Sequence, residues 1–273
     1  MLSEYVSFND FIIYLAPGVA VCVPLAFVAV KWFFHAELQE KMLVDAGQLI
    51  RDNPIRDSHL LAKAGIMLSC VIIGFFLHPI SHIDPVFVAV PGAILVFALD
   101  NHRDVEDALH GVEWDTLLFF GALFVMVEGL AEMGLIRVIA RSLSDTIVSV
   151  DVASRQPVAI VVIMYVSAVT SAFVDNIPYT TTMVPVIRQI ALEVSGVSIQ
   201  PLIWSLSFGA CLGGMGTLIG ASDNMVAAGI GEKAGYHISF VDFMKIGFPM
   251  MLLCVTVATG WLLLLHYAGV WPV

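Results

Sequence analysis

Ser171-Ala172-Phe173-Val174-Asp175-Asn176-Ile177-Pro178-Tyr179-Thr180-Thr181-Thr182-Met183-Val184-Pro185 is a polar, proline-broken centre inside an apolar run that extends from Pro157 to Ile187. Asp175 is the one charged residue of that run. An ionised carboxylate in lipid costs several kcal/mol unless it is paired, hydrated or protonated. Pro178 removes a backbone donor and clashes with the preceding turn, so a regular helix does not pass through this point. A break at membrane depth survives only where its backbone lines a wet cavity or is buried in protein. The stretch therefore predicts a re-entrant hairpin over about 157–190, its tip presenting Asp175, Asn176 and the hydroxyls of Thr180, Thr181 and Thr182. The plainer alternative is a loop between two short spans.

Working outward, the chain is too apolar for a soluble domain. Of its 273 residues 59% are hydrophobic and 13% charged, with a mean hydropathy of +0.92, and a water-soluble body of this size has no room to hide that much apolar surface. The reading is an all-α, polytopic membrane protein. A net charge of -11 excludes a nucleic-acid partner, and the composition excludes a disordered tail or a secreted disulfide scaffold. Cys22, Cys70, Cys211 and Cys254 lie far apart in apolar runs without metal spacing and read as small core hydrophobes.

Uncharged stretches at Phe11–Val30, Ala64–Ile83 and Pro85–Leu99 predict the first three spans. Phe11–Val30 lacks a basic leader and a cleavage-type ending, so it is a span and not a signal peptide. A fourth runs from Thr116 through Glu128 and Glu132 toward Leu135, and Val194–Ser222 and Ile246–Val273 complete the clear set. Leu135–Val150 places Leu135, Val138, Ile139, Leu143 and Ile147 on one face and Arg137, Arg141 and Asp145 on another, which suits a helix lying in the interface. The polar stretch His35–Lys63, with Lys41, Arg51, Arg56 and Lys63, is a surface loop, and its bases place it on the cytoplasmic side with the amino terminus outside.

A second interruption is Gly209-Ala210-Cys211-Leu212-Gly213-Gly214-Met215-Gly216-Thr217-Leu218-Ile219-Gly220-Ala221-Ser222-Asp223-Asn224. Its glycines remove side chains where a membrane helix would otherwise continue, freeing carbonyls and amides to meet an ion. Thr217, Ser222, Asp223 and Asn224 add hydroxyl, carboxylate and amide oxygens. Oxygen-rich sites suit hard cations and exposed helix amino ends suit anions. The competing reading is close helix packing through Gly209, Gly213, Gly216 and Gly220. Glu128 is a candidate proton carrier or a solvated surface group, and His78, His82, His102 and His110 fall near loops. Ser, His and Asp show no nucleophile-elbow spacing, so no catalytic residue, cofactor or metal is expected and the chain is read as a non-enzyme.

These motifs resemble the P protein family, the pigmentation-associated branch of the ion transporter superfamily that also holds arsenite efflux pumps, NhaD-type sodium/proton antiporters and dicarboxylate carriers. The resemblance rests on Ser171-Ala172 with Asp175-Asn176-Ile177-Pro178, on Leu206–Gly214 and on Gly216–Ser222, and extends to Glu113–Phe120 and Gly247–Met251. It implies a transporter of two inverted repeats, each with a re-entrant hairpin and a broken helix that meet at a midplane site. Mapped residue by residue, the ion or substrate ligands would be Asp175, Asn176 and Thr180 on the hairpin and Thr217, Ser222 and Asn224 on the broken helix, with Asp223 added by this chain. Two positions depart from the family pattern. Gly214-Met215-Gly216 stands where the family has Gly-Asn-Gly, and Asp223 where it has Ala, which favours a cation.

The implied organisation is a last span of a truncated first repeat (1–34), a cytoplasmic linker (35–63) and a complete second repeat (64–273), with the hairpin at about 157–190 and the broken helix at about 201–232. No second copy of the hairpin or of the glycine break appears between Met1 and Gly111, so a fragment, a truncated gene model and half of a split carrier are all open. The expected function is secondary transport of a small ion (sodium, proton or an anion), proton- or sodium-linked, with a missing first repeat or a second copy as partner in the lipid bilayer. The alternative is a non-transporting scaffold or regulatory half. The family resemblance would place it in an intracellular organelle membrane such as the melanosome.

Overall fold

The computed structural model describes residues 6, 8–35, 58–81, 83–99, 112, 114–233 and 235–271, and all regular structure among them is helical. In chain order the helices are α1 (Phe8–Phe33), α2 (Ser58–Phe76), α3 (His78–Ser81), α4 (Val86–Leu99), α5 (Trp114–Glu132), α6 (Leu135–Val148), α7 (Val152–Ser171), α8 (Asn176–Glu193), α9 (Ile199–Gly213), α10 (Ser222–Lys233) and α11 (Phe240–Tyr267). Four are long and apolar enough to cross a membrane: α1, α2, α7 and α11. A fifth span results if Leu117–Leu130 and Leu135–Val148, bent by 69°, count as one. The linker expected at 35–63 lies, over residues 36–57, outside the described residues, as do His82, His102 and His110.

The chain divides into two compact units, one of Met1–Ile13 with Phe34–Thr116 and one of Tyr14–Phe33 with Leu117–Val273. In the first, α2 packs against α4 through glycines. A Cβ on Gly74 would come 2.6 Å from Val88 Cγ1, and one on Gly92 would collide with Val71 Cγ2. The stretch expected to span Ala64–Ile83 ends sooner, because the chain leaves α2 after Phe76 and makes the short α3.

The second unit holds both polar interruptions. Its core is α7 and α9, whose Ile160, Ile163, Met164, Ala168, Leu202, Trp204, Leu206 and Phe208 are buried, with α8 and α11 packed around them. The run expected to span Val194–Ser222 is instead the 15-residue α9, which stops at Gly213. Helix α6 is strongly amphipathic, but the buried side is Ile136, Ala140, Ser144 and Ile147. Leu135 and Val138 of the expected apolar face stay exposed. The inward stripe is set by contact with α8 and α7, so an interfacial helix is not the whole account of it. Glu128 is exposed on α5.

Candidate functional site

Helices α7 and α8 form an antiparallel pair held at both ends. At the foot, Arg155 Nη1 donates to Ser195 O at 3.1 Å and to Ser195 Oγ at 2.9 Å, and the Ser198 amide donates to Gln156 Oε1. Gly196 has φ 82 and lies against Val152, where a Cβ would come 2.9 Å from Val152 Cγ1. Near the tip, Tyr179 Oη donates to Ser167 Oγ at 3.2 Å.

The tip itself is Ala172–Asp175. Asp175 is the N-cap of α8, its Oδ1 accepting from the Ile177 amide at 3.1 Å. Pro178 falls in the first turn of α8, where its missing N–H would have had no intrahelical partner, so the chain breaks before the proline and resumes through it. Asn176 and Thr180 are half-buried. The sequence expectation has Thr181 and Thr182 presenting their hydroxyls at the tip. Their hydroxyls donate back along α8 to Ile177 O at 2.9 Å and Pro178 O at 3.0 Å.

The second break, residues 214–221, separates α9 from α10. Gly209 and Gly213 serve the packing reading, since a Cβ on Gly209 would lie 2.6 Å from Met164 O and one on Gly213 2.5 Å from Ala168 O. Gly216 and Gly220 bring the break onto the hairpin tip. Their added Cβ atoms would lie 2.9 Å from Ala172 Cβ and 2.9 Å from Ala172 O respectively. None of these four has positive φ, so each is glycine for close approach and not for backbone conformation. Thr217, fully buried, donates its hydroxyl to Ala172 O, and Ser171 Oγ donates to Ala210 O at 2.6 Å. Asn224 Nδ2 reaches back from α10 to Gly214 O at 2.8 Å and Thr217 O at 3.0 Å.

The seven residues singled out in the sequence thus divide in three. Thr217 and Asn224 are tied into the frame. Asp175 is half tied, with one oxygen on its cap. The side chains of Asn176, Thr180, Ser222 and Asp223 make no hydrogen bond among the described residues, and neither Asp175 nor Asp223 has a basic partner there. Ser222 and Asp223 are exposed at the start of α10, where a carboxylate in the first turn is favoured by the helix dipole. Sequence reasoning missed the hairpin's foot. No spacing in the sequence links Arg155 to Ser195.

Helices of membrane-crossing length, among described residues whose regular structure is all helical and whose two polar breaks meet at Ala172, define a multi-pass integral membrane protein. Residues 2–209 match the citrate transporter family, CitMHS, and the chain belongs to that family. It is 44% identical to the human P protein over 245 residues, covering 87% of this chain and 29% of that protein. It is 36% identical to an uncharacterized transporter of Mycobacterium tuberculosis over 264 residues, covering 96% of this chain and 60% of that one. A 46 kDa membrane protein of Mycobacterium leprae is 31% identical over 92% of this chain and 58% of its own length. The chain therefore spans under a third of the human P protein and about three-fifths of the mycobacterial proteins. The resemblance read from the two breaks is borne out, and the family to which the chain belongs is one of transporters and not of enzymes.

Proposed function

We propose that this chain supplies one half of the translocation site of a secondary carrier, as the second of two inverted repeats, with the hairpin at about 157–190 and the broken helix at about 201–232. The observation that carries the reading is the seating of the glycine break on the hairpin tip through Thr217 and Ala172. It joins two interrupted helices at one place and leaves Asp175, Asn176, Thr180, Ser222 and Asp223 with unused polar atoms beside the amino ends of α8 and α10. Carboxylates without basic partners bind cations, and helix amino ends bind anions. The arrangement therefore suits coupled movement of a proton or sodium ion with a small solute, and the family's description makes a small carboxylate such as citrate the first solute to try.

The test is uptake into proteoliposomes under separately imposed proton and sodium gradients, comparing this chain alone with a longer carrier that contains it. Gradient-driven, saturable flux that is lost in Asp175→Asn supports the carrier. Correct insertion with no flux in either form supports the alternative of a scaffold or regulatory half and removes the carrier reading.

A further inference from the structure

The foot of the hairpin holds more hydrogen-bond donors than acceptors to meet them. Helices α7 and α9 run parallel, since the Ser198 amide meets Gln156 Oε1 at one end of the pair and Ser171 Oγ meets Ala210 O at the other. Both amino ends therefore lie at the foot. Neither is closed by its own N-cap, because the side chains of Asp151 and Ser198 make no capping hydrogen bond. Helix amino ends carry partial positive charge and amides without intrahelical partners, which is the chemistry that receives an anion.

Two side chains add buried donors at the same place. Gln156 is 2% exposed, and its Oε1 is spent on the Ser198 amide. That contact fixes the carboxamide, because the swapped orientation would set Nε2 against an N–H. Gln156 Nε2 thus lies beside the amino end of α9, buried and with no acceptor among the described residues. Arg155 Nε is likewise buried without an acceptor. The plainer reading of Arg155, a base that closes the carboxyl end of α8 on Ser195, uses Nη1 and leaves Nε over. A buried donor left unmet costs about 1–3 kcal/mol, and folded proteins seldom leave two side by side.

No carboxylate answers them. Arg155 makes no ion pair among the described residues. Asp151 and Glu193, the acids at the ends of α7 and α8 that meet here, are exposed, and Glu193 Oε1 accepts from Gln189 Nε2 at 2.9 Å. The depth of the foot says which anion would be at hand. Helix α7 is long and apolar enough to cross a membrane from Val152, so Arg155 and Gln156 lie within about 6 Å of its amino end, at the level of the lipid headgroups.

We propose that the hairpin foot is a phosphate-binding site, in which Arg155 Nε and Gln156 Nε2 donate to a phosphate group held at the amino ends of α7 and α9. Ser154 and Ser195 are exposed on its outer side, and a turn of the Arg155 side chain away from Ser195 opens Gln156 to the ligand. The bound phosphate ties the start of α7, the end of α8 and the start of α9 to the membrane surface, at the opposite end of α7 from the tip. The site is therefore separate from the two polar breaks and does not depend on the carrier reading. A phospholipid headgroup and free phosphate share this chemistry.

The test uses the purified chain in a neutral detergent, titrated with phosphatidylglycerol, with diacylglycerol of the same acyl chains and with inorganic phosphate, bound molecules being counted by native mass spectrometry. One phosphatidylglycerol is expected to bind roughly tenfold or more tightly than diacylglycerol, as one hydrogen bond to a charged group provides. Its displacement by inorganic phosphate would add free phosphate as a second source of the same group, and failure to displace it would leave the lipid as the source. Equal binding of phosphatidylglycerol and diacylglycerol, with no binding of inorganic phosphate, overturns the site and leaves the donors to water. Gln156→Glu keeps an oxygen for the Ser198 amide and sets a carboxylate where the donor stood, so it is expected to lose phosphatidylglycerol binding by a similar factor, and parent-like binding in it also overturns the site. If that variant does not fold, phosphatidylglycerol with a photoreactive headgroup decides on the parent chain. Adducts within 151–156 and 195–200 are expected, and adducts confined to other segments overturn the proposal.

Discussion

The Thr217 hydroxyl donates to the Ala172 carbonyl, the first carbonyl of the hairpin tip, from the middle of the glycine break. Both groups are buried, so the bond cannot be exchanged for one to water. Thr217→Val keeps the shape and removes the donor, leaving the carbonyl unsatisfied at a cost of about 1–3 kcal/mol. The expected outcome is a lower unfolding midpoint in detergent and loss of solute uptake, with Thr217→Ser retaining both. A Val variant as stable as the parent would mean that the break and the tip are not coupled through this bond.

Asp175 offers a substitution that separates charge from structure. Asn caps helices as well as Asp does, whereas Ala at an N-cap costs about 0.5–2 kcal/mol. Asp175→Asn is expected to insert, to unfold at the parent midpoint and to lose ion-coupled flux, while Asp175→Ala loses stability as well. Unchanged flux in the Asn variant, with an unchanged response to proton and sodium gradients, takes Asp175 out of the mechanism.

The glycines of α9 and α5 make a contrasting pair. At Gly209 an added Cβ meets Met164 O and Ser167 Cβ, both at 2.6 Å. Backbone cannot move aside there as a flexible side chain can, so Gly209→Ala is expected to destabilise by roughly 1–3 kcal/mol. At Gly129 nothing lies within 4 Å, and Gly129→Ala is expected to gain up to about 1 kcal/mol from helix propensity. Melting of the two variants in one detergent checks the ordering, which a common shift for both would refute.

How far the sequence carried the fold depended on whether a feature was local. The breaks at Asp175 and at Gly213–Ala221 were legible because charge, proline and glycine act on their own turn of chain. The roles of the individual polar residues were not. Thr180, Thr181 and Thr182 look alike in sequence, yet two of them are spent on carbonyls of their own helix, and that depends on rotamer and neighbours. The buried side of α6 was misjudged for a related reason. Periodicity gives the apolar arc, but Ile136 and Ala140 are buried because other helices happen to cover that part of it.

Arg155 and Ser195 place the feet of α7 and α8 together. Single cysteines at Ser154 and Ser195, in a background lacking the native ones, should therefore react with a membrane-impermeant maleimide from the same side of an oriented membrane. Labelling from opposite sides would mean that the pair does not enter and leave through one face.

The division between tied and untied polar groups at the two breaks makes a prediction about how variants fail. Asn224 spends both amide hydrogens on Gly214 O, at the interrupted end of α9 where helical partners are missing, and on Thr217 O, which also accepts from the Gly220 amide. Asn224→Ala therefore strips two hydrogen bonds from the frame, worth about 0.5–1.5 kcal/mol each and more where the carbonyl stays dry. It should lower the unfolding midpoint and the uptake rate together. Asn176, Thr180, Ser222 and Asp223 support no such frame, so Thr180→Val, Ser222→Ala and Asp223→Asn should leave the midpoint near that of the parent. If these groups bind the translocated species, their loss appears in the apparent KM for solute or in the dependence on the coupling ion. Asp223, with no basic partner among the described residues, is the one whose neutralisation should most alter ion dependence. Plotting midpoint against uptake for the set is then expected to give two groups, with Thr217 and Asn224 variants losing both and the others losing transport alone. A single line through all of them would mean that stability accounts for every loss, and the untied residues would have no claim to the site.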